Sequence, residues 1–240
     1  MLCGGTLALL ASAGAQVHFL VATRGEGGEV GEPPLTDHEH LGQVREDEMH
    51  CAVQALGGTS LTFLGYEDPR VGEGDELYAY TEDVDRLTAE VVDIVRNRKI
   101  EAIITHGSNG EYGHPAHRIS HQAARTAVMA LHDQGLLLYT AAAAFPEHPR
   151  PKLTNPDDPA DLVLDIAPVL SQKVQAALCH RTQHPLFTRQ ASQDAGRQVS
   201  VPEVIIPLEG IYRAIPPANG VPSDPLAVLL QPYLYRGNRA

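Results

Sequence analysis

The segment IEAIITHGSNGEYGHPAHRISHQAARTAVMALHDQG, residues 100–135, contains one complete strand–loop–helix unit. IEAIITHG is apolar and rich in β-branched residues, which suits a buried strand. The loop SNGEYG follows. From Pro115 onward the spacing predicts a helix, with the proline fitting its first turn and Gly135 its end. His114 and His117 stand three residues apart where loop meets helix, so a helix beginning there lets both imidazoles look at one spot.

The same order repeats on either side. QVHFLVAT (16–23) and LTFLGY (61–66) read as strands. VREDEMHCAVQALGG carries Val44, Met49, Ala52, Val53 and Leu56 at helical spacing, and TEDVDRLTAEVVDIVRNRK carries Val84, Leu87, Val91, Ile94 and Val95 likewise. MLCGGTLALLASAGAQ reads as a helix stopped by Gly14, because no basic residue precedes its apolar run as a secretory signal requires. LLLYTAAAAF (136–145) reads as another strand, APVLSQKVQAALCHRTQ (167–183) as a late helix, and PEVIIPLEGIYRAI (202–215) as a possible further strand. PEHPRPKLTNPDDPADL (146–162) is expected to be a loop or crossover, with NPDDP in turns whose aspartates bond their own backbone. Alternating strands and helices predict a Rossmann-like α/β fold, mostly parallel with helices on both faces, as a single domain over 1–240. In such folds ligands bind beyond the carboxyl ends of strands, where the loops ATRGEGGEVGEPP and HGSNGEYGHPAH lie.

Charge narrows the partners. Eighteen basic against 30 acidic residues give a formal charge of −12, which repels nucleic acid and anionic membranes, and no apolar run approaches the ~20 residues of a membrane span. A small-molecule partner is expected, with self-association into a homo-oligomer left open. Three scattered cysteines, Cys3, Cys51 and Cys179, read as free thiols in a cytoplasmic protein.

Twelve histidines make any single pair weak evidence for a metal. Position strengthens it: Tyr112, His114 and His117 cluster beyond a strand end, where a phenol, an imidazole and a metal ligand could converge on a carbonyl. His121, one turn after His117, is either a further ligand or a packed histidine. TDHEH (36–40) is either a ligand nest or a solvated loop.

CGGTLALLASAGAQVHFLVATRGEGGEVG, REDEMHCAVQALGG, LGYEDPR, THGSNGEYGHPAHRISHQAA and KVQAALCHRTQ, in this order, resemble the LmbE/PIG-L family of zinc-dependent N-deacetylases. The resemblance implies a hydrolase that removes acetyl from an N-acetylglucosaminyl compound. It makes His117 a zinc ligand, His114 the imidazole that stabilises the oxyanion and protonates the leaving amine, and Tyr112 the group that polarises the carbonyl. Glu29 and Arg45 match residues that hold the sugar or its aglycone, against the plainer reading of a surface ion pair. Two departures stand out. Ala116 occupies the place of a family aspartate that orients an imidazole. A first strand ending in His-Pro-Asp-Asp-Glu, with further zinc ligands and the water-activating base, precedes the segment matched by MLCGGTLA in the family and is missing from this chain. With His117 as the one matched ligand, weak zinc binding and impaired catalysis are expected, and a non-catalytic sugar-binding protein or another reaction of the family is the rival reading.

Overall fold

The protein is described from a computed structural model that defines residues 2–237. In chain order the elements are α1 (Gly4–Ser12), β1 (His18–Thr23), α2 (Leu41–Ala55), β2 (Ser60–Tyr66), α3 (Val84–Arg98), β3 (Ala102–Thr105), α4 (Pro115–Ala130), β4 (Leu137–Ala141), β5 (Ala143–Ala144), β6 (Asn155–Pro159), β7 (Leu162–Asp165), α5 (Leu170–Cys179), α6 (His184–Ala195), α7 (Val201–Val204), β8 (Leu208–Ile215) and α8 (Pro225–Leu230). The predicted strand–helix alternation holds through α4, and the α/β class with it. Two compact units interleave along the chain, one from Cys3–Glu76 with Ile166–Pro207, the other from Leu77–Asp165 with the residues from Leu208 on.

In the first unit β1 and β2 pair in parallel, His18 against Ser60 through Val21 against Phe63. Helix α2 packs on α5, and a disulfide between Cys51 and Cys179 joins them with their Cα atoms 5.7 Å apart. This corrects the free-thiol expectation for two of the three cysteines; Cys3 alone is a thiol. The sequence shows no sign of the bond because its partners are separated by 128 residues. With it falls the cysteine argument for a reducing cytoplasm, where structural disulfides are rare. One turn before Cys51, buried Glu48 accepts hydrogen bonds from the Thr182 backbone N–H (2.7 Å) and hydroxyl (2.8 Å), tying the same helix to the residues after α5.

The second unit holds a mixed sheet in the order β3-β4-β8-β7. β3 and β4 are parallel, Ala102 against Leu137 through Thr105 against Thr140, whereas β8 runs antiparallel to both β4 and β7. The tail segment thus becomes an interior strand. Helices α3 and α4 cover part of this sheet: Val95, Ala124, Val128, Leu131, Leu136 and Leu138 form a buried cluster. On a separate network, the Tyr139 hydroxyl donates to Asp224 (2.5 Å), which also accepts from Arg213 and caps the first turn of α8.

NPDDP departs from the expected turn. It forms β6, parallel to β5 with Asn155 opposite Ala143. Its prolines are tolerated because a two-stranded pair leaves β6 an edge, where a missing N–H breaks no ladder. Among the described residues no helix is long and apolar enough to cross a membrane.

Candidate metal and catalytic site

The residues beyond β3 fold back on themselves before α4 begins. Gly110 and Gly113 have positive φ, and so does Glu111 (φ 61°), a conformation that costs a non-glycine residue of order 1–3 kcal/mol. That turn sends the Glu111 carboxylate under the strand end. One oxygen accepts the Gly107 N–H at 2.7 Å; the other lies 2.7 Å from His117 Nδ1 and 3.3 Å from His106 Nδ1. The His106 and His117 rings stack with centroids 3.9 Å apart, and His114 stacks on the far side of His117 at 4.6 Å.

Three potential metal donors therefore meet here, from His106, Glu111 and His117, with their ligand atoms all within 4.8 Å of one another. Where the family resemblance matched His117 alone, this chain brings together two imidazoles and a carboxylate, residue types that zinc takes in catalytic sites. Glu111 also gives His117 the carboxylate contact that Ala116 cannot.

Hydrogen bonds divide the histidines by tautomer. An ionised carboxylate only accepts, so His117 carries its proton on Nδ1 and leaves Nε2 with a free lone pair. His114 is the reverse. It is the N-cap of α4, and its Nδ1 accepts the Ala116 N–H at 3.2 Å, so the neutral ring carries its proton on Nε2. Burial, with His117 and His106 alongside, lowers the His114 pKa below the ordinary histidine value and favours that neutral ring. Tyr112 is exposed and turns its ring edge to His114 and His117 at 5.8 and 5.6 Å. His121 is the packed histidine of the two alternatives: it is buried, and its Nδ1 donates to the His106 carbonyl at 3.0 Å.

Burial pushes the Glu111 carboxyl up, but the hydrogen bonds from His106 and His117 outweigh it and hold the pKa at about 2 against an ordinary 4.5. A depressed folded-state value stabilises the fold above pH 4.5, and that stability is lost as pH falls towards about 2. The metal-free protein is therefore expected to weaken across this window more steeply than Glu111→Gln, in urea melts taken at successive pH values. Parallel curves would show that the carboxylate adds nothing to acid stability.

Glu29 and Arg45 belong to the first unit. The Glu29 carboxylate is held by Arg189 at 2.9 and 2.7 Å on an exposed surface. Arg45 donates to the Glu29 carbonyl at 3.0 Å, and the loop wraps its guanidinium so closely that a Cβ on Gly28 would lie 2.6 Å from two of its nitrogens. Arg45 thus shapes the loop that carries Glu29. The TDHEH loop makes a solvated Asp37–His40 contact, and Glu39 and His38 join no metal-ligand group among the described residues.

A family model described as GlcNAc-PI de-N-acetylase (PIG-L) matches residues 1–128. The 1D-myo-inositol 2-acetamido-2-deoxy-alpha-D-glucopyranoside deacetylase of Kineococcus radiotolerans is 29% identical over 272 residues, covering 92% of this chain and 75% of its own length. The protein of the same name from Acidothermus cellulolyticus is also 29% identical, over 92% of this chain and 88% of its own. Among solved structures, the 4-carboxy-2-hydroxymuconate hydratase of Pseudomonas putida KT2440 superposes with a TM-score of 0.59 at 20% identity, covering 92% of this chain and 93% of that one. N,N'-diacetylchitobiose deacetylase from Pyrococcus horikoshii does so with 0.57 at 17%, covering 88% and 77%. At these identities the two structures speak for the fold alone.

Proposed function

Because the chain belongs to the PIG-L/LmbE family, we propose that it is a zinc-dependent N-deacetylase acting on an N-acetylglucosaminyl compound such as the inositol-linked acetamido sugar named for its relatives. The observation that carries this reading is the convergence of His106, Glu111 and His117 beside a differently protonated His114. His117, through Nε2, and His106 would hold the ion, with Glu111 behind them fixing the rings. The chemistry it supplies when bound is polarisation of the acetamide carbonyl and acidification of a water molecule.

The chain's own groups supply the remainder. His114, with its proton on Nε2, donates a hydrogen bond to the carbonyl oxygen as negative charge builds there; it passes that proton to the nitrogen as the C–N bond breaks and takes back the one the attacking water releases, so the ring ends neutral. Water adds oxygen to the carbonyl carbon; acetate and a free amine leave. The Tyr112 hydroxyl, on an exposed ring beside both histidines, supports the same oxyanion. Glu111 is not assigned the part of base, since Gly107, His106 and His117 already occupy its oxygens.

The test is zinc content after dialysis together with acetate release from N-acetylglucosaminyl inositol. The expected result is one tightly held zinc, with acetate release that stops on chelation and returns with zinc. Bound zinc with no acetate, but with hydration of an unsaturated carboxylic acid, would overturn the deacetylase reading in favour of the chemistry named for the Pseudomonas structure.

A further inference from the structure

The geometry points to Asp158 as a positioning residue for the metal site, acting through Ser108 on His106; this rests on the metal reading above. Asp158 belongs to the NPDDP segment, fifty residues from Ser108, and is almost completely buried. One of its oxygens accepts the Ser108 backbone N–H at 2.9 Å and the Thr140 hydroxyl at 2.7 Å. The other accepts the Ser108 hydroxyl at 2.6 Å. Asn155, fully buried, donates its amide to the same Ser108 oxygen at 3.0 Å.

Among the described residues, the three groups that hydrogen-bond Asp158 are donors and none is a cation. Burying a carboxylate that way costs free energy unless its acceptor capacity is filled, so the arrangement fixes whatever it grips. What it grips is the backbone two residues after His106. Gly107 lies between. It is pressed so closely against Asn155 that a Cβ would come within 2.7 Å of the amide nitrogen, and its own N–H is taken by Glu111. The turn that aims His106 therefore has one anchor in Glu111 and a second in β6. A metal site needs its ligands held to a fraction of an ångström, and contacts behind the ligands set that.

The experiment is zinc affinity by chelator competition for Asp158→Asn and Ser108→Ala, with Tyr139→Phe as the comparison. Tyr139→Phe also strips a part-buried carboxylate, Asp224, of a hydroxyl donor, but that hydroxyl bonds no residue of the site. A second readout is ring-nitrogen NMR of histidine-labelled, metal-free protein. In Asp158→Asn the Ser108 N–H cannot turn away, so the carboxamide keeps its oxygen there and its NH2 meets the Ser108 hydroxyl, which loses the acceptor for its own proton. Zinc affinity is expected to fall by about 10- to 100-fold in Asp158→Asn. Ser108→Ala, which keeps the backbone bond, should fall less. His106 signals should shift in both, and neither effect should appear in Tyr139→Phe at a comparable loss of melting temperature. Zinc loss in Asp158→Asn no larger than in Tyr139→Phe would overturn the proposal. If the parent protein holds no zinc, the functional reading fails instead, and the metal-free His106 signals decide this one: a shift confined to the Asp158 and Ser108 variants upholds it, and unchanged signals refute it. Should Asp158→Asn not fold, Ser108→Ala carries the same comparison.

Discussion

His117→Ala is expected to strip zinc from the protein, while His114→Ala keeps the metal and loses turnover by about 10²- to 10⁴-fold, the range usual for a positioned acid or base. The two residues are three apart and their rings stack, so proximity cannot separate them. Their hydrogen bonds can. His117 has its proton fixed on Nδ1 by Glu111, which leaves Nε2 as a lone pair for a cation. His114 has Nδ1 occupied by the Ala116 N–H, so Nε2 bears hydrogen and is the donor of the ring. A metal ligand needs the first arrangement and a proton donor the second. His114→Ala also removes the side-chain cap of α4, a loss of about 1 kcal/mol that leaves the fold standing. Zinc by elemental analysis and kcat on the same preparations make the comparison. Equal loss of zinc in both variants would sink the division of roles.

The second large effect lies away from the site. Cys51→Ser is expected to destabilise the protein by about 5 kcal/mol, the chain-entropy value for opening a closed loop of this length. That is comparable to the whole stability of many domains, roughly 5–15 kcal/mol. The variant and the reduced wild type should unfold at the same urea concentration, well below the oxidised wild type. Thiol titration of the denatured, unreduced protein gives an independent check: three free thiols would show that Cys51 and Cys179 do not pair.

Periodicity reached the helices and most strands because burial writes itself at short range. Val84, Leu87, Val91 and Val95 mark α3 on the sequence as clearly as in the fold, and Pro115 marks the start of α4. His114, His117 and Tyr112 were legible from their place after a strand and from family resemblance together. Glu111 was not. Spacing rules assume ordinary backbone, and this carboxylate arrives by a left-handed residue, which only the flanking glycines hinted at. His106, the residue just after β3, could not be paired with His117 until that turn was known. Asp158 was concealed in another way: prolines on both sides read as turn chemistry, and its partner Ser108 is fifty positions away. Cys51 and Cys179 carry no local signal at all, since only the packing of α2 on α5 brings them together.

The two units are interleaved along the chain, and that arrangement dictates an order of synthesis. A nascent chain that has reached Asp165 has made every residue of the His106–His117 turn, yet β8, the strand between β4 and β7, is still untranslated. The half of the first unit that carries Cys179 also comes only after that point. Neither unit can therefore finish before its late segment is made: the first waits for α5 to α7, and the second waits longer, for the strand that follows them. Translation completes the first unit before the second, although the second contributes the candidate metal ligands.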